Sequence, residues 1–104
     1  MAILIKKQPV DAEYLSLGIT LKYKKEFKDA LEYLNKALEE NPQNERALYE
    51  RAVVADNYFK DLSTIISYYQ SYLDKYNSIG DERLLNLAES RIADLKKQRH
   101  LEGE

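Results

Sequence analysis

The chain has no cysteine and no tryptophan among its 104 residues, and it has only three glycines, two prolines and one histidine. Without cysteine it can form no disulfide, thiolate metal site or cysteine nucleophile. Gly18, Gly80 and Gly103 are too far apart to build a phosphate-binding loop. His100 lies in a charged C-terminal run and lacks the companion donors that a metal site needs. We therefore expect no catalysis, no metal and no cofactor.

Charge and hydropathy argue against two further classes of partner. Charged residues make up 33% of the chain, with both signs mixed, and the formal net charge is −2 at pH 7. This balance provides no electrostatic attraction for nucleic acid or for an anionic membrane. The apolar run at residues 2–5 is too short for a signal-peptide core or a membrane span. We expect a single soluble domain without nucleic-acid binding or membrane insertion. The compartment stays open: the cytoplasm is favoured, and the periplasm follows if the chain is part of a longer envelope protein.

The apolar residues from Tyr14 to Leu38 recur at helical spacing and predict two helices. On the first helix one stripe contains Tyr14, Leu17, Gly18 and Leu21. On the second helix the stripe contains Phe27, Ala30, Leu31, Leu34, Ala37 and Leu38. Gly18 and Ala37 are small enough for a neighbouring helix to approach closely, and Pro42 marks the end of the second helix. We predict an antiparallel pair with its turn near residues 24–26.

The same pattern returns, less strictly, in the next part of the chain. The stripe of the second helix is repeated position for position by Leu62, Ile65, Ile66, Tyr69, Tyr72 and Leu73. Leu48 and Ala52 take the places of Tyr14 and Gly18 on the first helix. One additional residue falls in the turn that joins the two helices, and larger side chains replace the alanines. We predict a second, divergent pair over residues 45–78, whose second helix stands farther from its neighbours.

Two terminal segments complete the predicted organisation. Residues 81–98 form an amphipathic helix, which we expect to cap the stack with a polar outer face. Its apolar side contains Leu84, Leu85, Leu87, Ala88, Ile92 and Leu95. Residues 1–9 contain an apolar stretch followed by a proline, and we interpret them as a partial helix of a preceding repeat, so that the chain begins within an array. Asn44, Asp61 and Asp81 are predicted N-caps. The sequence therefore predicts five main helices, near 11–24, 27–40, 45–58, 61–76 and 81–98.

The spacing of small and apolar residues in the first pair resembles that of a known repeat. The matched positions are Tyr14, Leu17, Gly18, Phe27, Ala30, Leu34, Ala37 and Pro42. This pattern is similar to the tetratricopeptide repeat (TPR), a two-helix unit of about 34 residues. The resemblance covers residues 11–44 and implies an all-α superhelix of antiparallel pairs. The segments YYQSYLDKY and AESRIADLKK resemble parts of bacterial envelope-associated TPR proteins, which implies a bacterial protein or a fragment of one.

The resemblance also implies where a partner binds. In this family the first helix of each pair lines a concave groove, and its residues off the packing stripe contact the ligand. In this chain those residues are Ala12, Leu15, Ile19, Lys22, Tyr23, Arg46, Tyr49, Val53, Asp56 and Asn57. Leu15 and Ile19 stand where the members that bind chaperone tails have a lysine and an asparagine. The departure argues against a C-terminal carboxylate as ligand and favours an apolar segment in the groove.

Two functions remain open at this point. The first is a scaffold that binds a protein or peptide segment in a largely apolar groove without catalysis. The second is self-assembly, in which the unfinished ends of the array stack on other copies and form a homo-oligomer. The groove residues have a structural alternative as well. Leu15, Ile19, Tyr49 and Val53 would then pack against neighbouring repeats instead of a ligand.

Overall fold

The structure of the chain is a computed structural model that describes residues 10–103 and contains five α-helices in this part. The helices are α1 (Val10–Tyr23), α2 (Phe27–Glu40), α3 (Glu45–Tyr58), α4 (Leu62–Tyr76) and α5 (Glu82–Leu101). The described residues form no β-strand, and neighbouring helices pack against each other in sequence order. The predicted all-α, TPR-like architecture is confirmed. The bounds of α1 to α4 agree with the prediction to within one residue, whereas α5 continues three residues further, to Leu101. The partial helix predicted for residues 1–9 lies outside the described residues.

Three helices begin at a side-chain cap. Asn44, Asp61 and Asp81 precede α3, α4 and α5, and each accepts a hydrogen bond from the backbone N–H three residues further on. The donor–acceptor distances are 2.9, 3.1 and 3.0 Å. An N-cap of this kind satisfies a backbone donor that the helix itself leaves free. All three predicted caps are confirmed.

The turn between α1 and α2 uses backbone geometry instead of a side-chain cap. Lys25 has a positive φ of 62°, and its N–H donates to the carbonyl of Lys22 at 2.9 Å. The N–H of Glu26 donates to the carbonyl of Leu21, also at 2.9 Å. The chain therefore reverses within the predicted turn near residues 24–26. As a result α1 and α2 are the most closely packed pair of helices.

The core consists of a large cluster and a small one. The small cluster joins the first pair to α3 and contains Ala30, Leu34 and Val54. The large cluster joins α3, α4 and α5 and contains Leu48, Ala52, Leu62, Ile65, Ile66, Tyr69, Tyr72, Tyr76, Leu84, Ala88, Ile92 and Leu95. Its three tyrosines explain much of the aromatic content of the chain as core packing.

Two leucines that we predicted on packing faces are exposed. Leu17 of α1 is 46% exposed, and Leu87 of α5 is 48% exposed. Both lie on the terminal helices of the described stack, where a helix has neighbours on one side only. A helix in the middle of a stack buries its apolar stripe against two neighbouring helices. On a terminal helix one of these neighbours is missing, so the stripe is only partly covered. The packing predictions for Leu17 and Leu87 were therefore wrong.

The close approach that we predicted at the small residues is confirmed. A Cβ atom built on Gly18 would lie 2.7 Å from both Cγ and Cδ2 of Leu34, which belongs to α2. Real Cβ atoms do not come so close to another carbon, so a larger residue at this position would force the fully buried Leu34 to shift. Ala37 is fully buried, as is Ala30 about two turns earlier on the same helix. The small side chains thus hold α1 and α2 together at short range.

Enlarging these small residues should destabilise the fold. We expect Gly18→Leu and Ala37→Leu each to lower the free energy of unfolding by about 1–3 kcal/mol or more, because the added atoms overpack a filled interface. Urea unfolding followed by circular dichroism measures the change. The control is Ala93→Leu, which adds the same atoms at an exposed position of α5 and should stay within about 0.5 kcal/mol of the parent. Equal stability of Ala37→Leu and Ala93→Leu would contradict the assigned packing.

Candidate partner-binding groove

The predicted groove residues of α1 differ in their surroundings. Leu15 is half-buried and packs against the small cluster of Ala30, Leu34 and Val54. Ile19 is also half-buried, whereas Ala12 is exposed. Tyr23 is 76% exposed at the end of the helix. This part of the predicted surface therefore combines internal packing with open side chains.

A buried carboxylate links α1 to α3. Glu50 is only 2% exposed, and its Oε1 atom lies 2.7 Å from Nζ of Lys22. Its Oε2 atom lies 2.7 Å from Nε of Arg46, one turn earlier on α3. Two cations around one carboxylate compensate for the cost of burying its charge. Lys22 and Arg46, which we predicted as ligand contacts, are thus occupied by a side chain that sequence reasoning missed. The only signal for Glu50 was its spacing of four residues from Arg46.

A second polar cluster links α3 to α5. Arg91 donates two hydrogen bonds to Asp56, from Nε to Oδ2 at 2.6 Å and from Nη2 to Oδ1 at 2.8 Å. The hydroxyl of Tyr69, on α4, donates to the same Oδ2 atom at 2.9 Å. A two-bond arginine–carboxylate pair fixes both distance and orientation. Asp56, another predicted contact residue, therefore holds α5 in place beside α3.

The start of α3 fixes the start of α5. The Oε2 atom of Glu45 accepts a hydrogen bond from the hydroxyl of Tyr72 at 2.6 Å and one from the backbone N–H of Asp81 at 2.7 Å. Gly80 permits this approach, because a Cβ atom at Gly80 would lie 2.5 Å from the same oxygen. Glu45 and Asp56 therefore secure α5 at two points along α3.

An open groove of about 330 Å³ lies between α3 and α5, over α4. Its wall on α3 carries Tyr49 and Val53, and both pack against the large cluster. The ring of Tyr49 meets that of Tyr72 edge-on, with centroids 5.6 Å apart and planes at 70°. The remaining lining residues are Tyr69, Leu87, Ser90, Arg91 and Asp94. The groove has an apolar centre with polar groups along the α5 side.

The predicted residues are only partly brought together. Tyr49 and Val53 line the groove between α3 and α5, whereas Leu15 and Lys22 face the junction of α1 with its neighbours. Asn57 is exposed at the end of α3, where its amide donates to the carbonyl of Val53 at 2.8 Å. Sequence reasoning missed the α5 wall because it treated α5 as a cap. The alternation of first and second helices was a signal for it, since α5 follows α4 in the position of a first helix.

Burial raises the pKa of the tyrosines around this groove. It is the main reason for the raised pKa of Tyr69, and the negative charge of Asp56 adds to it. For Tyr72 burial again comes first, followed by the hydrogen bond to Glu45. Burial raises the pKa of Tyr49 and Tyr76 in the same way. The folded state therefore keeps these hydroxyls protonated at a pH where an unfolded tyrosine ionises.

The fold and the groove define a helical-repeat protein built from packed helix pairs. Residues 12–44 match the family model of the tetratricopeptide repeat, which confirms the predicted resemblance of this segment. No curated protein and no solved structure matches the chain significantly. Repeats of this family generally mediate protein–protein interaction and scaffolding and are typically not catalytic.

Two further features of the described residues concern a metal ion and a membrane. Between residues 10 and 103 no group of three or more histidine, cysteine, aspartate or glutamate side chains is placed to hold a metal ion. Within the same range no helix is both long enough and apolar enough to cross a membrane.

The buried tyrosines predict a loss of stability at alkaline pH. An unfolded tyrosine loses its proton near pH 10, while the raised pKa values of Tyr69 and Tyr72 delay this step in the folded chain. The unfolded state is therefore favoured increasingly above about pH 10, and the stabilisation is fully present below that pH. We expect the free energy of unfolding, measured in urea at a series of pH values, to fall across this range.

Tyr69→Phe should make that fall less steep, because one of the shifted groups is gone. The control is Tyr23→Phe, which changes an exposed ring and should leave the slope as it is in the parent. If the free energy of unfolding falls equally steeply with pH in the parent and in Tyr69→Phe, the assigned role of Tyr69 is contradicted. Tyrosinate absorbance recorded in the same titration shows whether ionisation and unfolding coincide.

Proposed function

We propose that the chain is a protein-interaction scaffold that binds a partner segment in the groove between α3 and α5. The observation that carries this proposal is the exposure of Leu87, which is 48% accessible across an open groove from Tyr49 and Val53. An aliphatic side chain opposite an aromatic one, over an open cleft, is the arrangement that takes up an apolar anchor of a partner. The match of residues 12–44 to an interaction repeat supports the same function.

The polar side of the groove indicates what the partner carries next to its apolar anchor. Arg91 is already neutralised by Asp56, so its charge is not free to attract an anion. Asp94 lies on the exposed side of α5 and adds a carboxylate to the groove. An extended or helical segment with one apolar side chain and a neighbouring lysine or arginine suits this arrangement. The predicted surface on α1, with Ile19 and Tyr23 partly or fully open, provides room for a longer segment.

Replacing Leu87 should weaken binding without disturbing the fold. A peptide is first selected against the full chain from a random display library. We then expect Leu87→Ser to raise its dissociation constant about fivefold, since roughly half of a leucine side chain becomes buried on binding and contributes about 1 kcal/mol. Isothermal calorimetry measures the constants. Val53 is less suitable for this test, because it also packs against the large cluster.

The matched control is Leu101→Ser, which makes the same change on the same helix. Leu101 is 75% exposed and does not line the groove, so its replacement should leave the affinity unaltered. Circular dichroism establishes that both variants are folded. Equal affinities for the parent and Leu87→Ser, with every selected peptide, would rule out this groove as the binding surface.

A specific observation favours self-assembly as the second candidate function. Val10 and Leu17 are 41% and 46% exposed, and their spacing of seven residues puts them on one side of α1. Leu21, one turn further along this stripe, is half-buried. In a helical array the outer side of a terminal helix is where the next unit stacks. A second copy of the chain would cover this side and form a homo-oligomer.

Leu17→Ser tests this alternative. If copies associate through α1, the molar mass measured by light scattering should rise with concentration for the parent and stay at the monomer value for Leu17→Ser. Leu101→Ser again serves as the control, and its molar mass should change with concentration as that of the parent does. A parent that stays monomeric throughout the concentration range excludes self-assembly and leaves the groove proposal untouched.

A further inference from the structure

Arg51 is an arginine without an acidic partner, on the side of α3 turned away from the groove. Its side chain is half-buried, and its Nε atom is buried with no hydrogen-bond partner. One bond is made by the guanidinium, from Nη1 to Oδ1 of the neutral Asn35 at 3.2 Å. Among residues 10–103 no carboxylate forms an ion pair with it. This differs from Lys22, Arg46 and Arg91, each of which pairs with an acidic side chain.

The guanidinium lies at the edge of an open cavity of about 450 Å³ between α3 and α4. The other lining residues are Thr64, Ser67, Tyr68 and Ser71, which share one side of α4. The central carbon of the guanidinium lies 5.4 Å from the centroid of the Tyr68 ring. A ring beside an arginine holds it in place while leaving its N–H groups free for a further acceptor.

The charge of Arg51 is poorly compensated in this position. Burial lowers the pKa of its guanidinium, and the neighbouring Tyr68 opposes this shift. A partly buried charge without a counter-ion is unfavourable, and a buried donor without an acceptor adds to the cost. An anion in the cavity would compensate the charge.

The remaining polar groups of the cavity narrow the choice of anion. Thr64 already donates to Asp61 and Ser67 to the carbonyl of Thr64, both at 2.6 Å. The hydroxyl of Ser71 makes no such bond within the described residues and can donate to a ligand. The nearby ammonium of Lys75 donates to the carbonyl of Pro42 instead of facing the cavity. A single cation with one free hydroxyl suits a singly charged, planar oxyanion better than a doubly charged phosphate.

We propose that the cavity between α3 and α4 binds a carboxylate group, held by the guanidinium of Arg51 and the hydroxyl of Ser71. The guanidinium fork matches the two oxygens of a carboxylate, and charge-assisted bonds of this kind are among the stronger ones in proteins. The ligand is either a free carboxylic acid or an acidic side chain of a bound polypeptide. The site shares no lining residue with the groove between α3 and α5, so it does not depend on the function proposed above.

The side-chain N–H resonance of Arg51 reports directly on this site. The full chain, labelled with nitrogen-15, is titrated with sodium acetate in place of sodium chloride at constant ionic strength. We expect a saturable shift of the Arg51 Nε–H signal. In Ser71→Ala the dissociation constant for acetate should rise several-fold. In Arg51→Met the shifts of the surrounding backbone amides should be lost or need about tenfold more acetate.

Arg83→Met is the matched control, because Arg83 is exposed and lies outside the cavity. It should bind acetate as the parent does. Two blocked tripeptides, with a central glutamate or a central glutamine, separate the two sources of carboxylate. If both acetate and the glutamate peptide shift the Arg51 Nε–H signal, the site accepts acidic side chains. If only acetate shifts it, the site binds small acids.

Three results would overturn the proposal. The first is an Arg51 Nε–H signal that does not respond to acetate up to the solubility limit. The second is inorganic phosphate binding more tightly than acetate, since the site would then prefer a multiply charged anion. The third is an unchanged acetate affinity in Ser71→Ala or in a folded Arg51→Met. Ser71→Ala keeps the test decisive even if Arg51→Met does not fold.

Discussion

The structure depends on one constraint, which is that each helix packs mainly against its neighbours in sequence. The successive pairs from α1 to α5 make the extensive contacts, and α1 and α3 touch much less. Such a stack is stable only where adjacent helices come close along their length. Gly18 and the buried alanines of α2 provide that closeness in the first pair, and buried tyrosines of α4 fill the core of the second. Within residues 10–103 the same constraint leaves part of each terminal helix uncovered, so Leu17 is exposed on α1 and Leu87 is exposed in the groove beside α3.

Polar side chains connect the helices that packing leaves apart. Glu50 joins α3 to α1 through Lys22, and Asp56 joins α3 to α5 through Arg91. Because these bonds are short, charged and partly buried, they constrain distance and angle more tightly than apolar contacts do. The width of the groove between α3 and α5 is therefore determined by Asp56 and Glu45. The surface that we predicted as apolar is built in large part from charged pairs, and its apolar section is confined to the surroundings of Tyr49, Val53 and Leu87.

Whether a feature could be predicted depends on how far apart in the sequence its interacting residues lie. Helix bounds and the caps at Asn44, Asp61 and Asp81 depend on residues close in sequence, and periodicity and residue type predicted them. The tight contact at Gly18 was signalled by the small residue itself. The pairings of Glu50 with Lys22 and of Asp56 with Arg91 join residues on different helices, and no spacing rule specifies such partners. Leu17 and Leu87 show a related limit, since an apolar stripe indicates a packing face but not whether another helix is present to cover it. The predicted groove residues lie along α1 and α3, and their roles depend on partners that only the folded chain brings together.

The central helix α3 gives the chain two separate surfaces. Successive side chains of a helix point about 100° apart, so Tyr49, Glu50 and Arg51 face three different directions. Tyr49 lines the groove beside α5, Glu50 is buried toward α1, and Arg51 faces the cavity beside α4. Because the groove and the cavity share no lining residue, a ligand in one does not block the other. Both are nevertheless walled by α3 and α4, and Tyr68 and Tyr69 stand next to each other in the chain, one facing each site. Any influence of one ligand on the other must then pass through a small shift of α4 against α3, which the bond between Tyr69 and Asp56 resists.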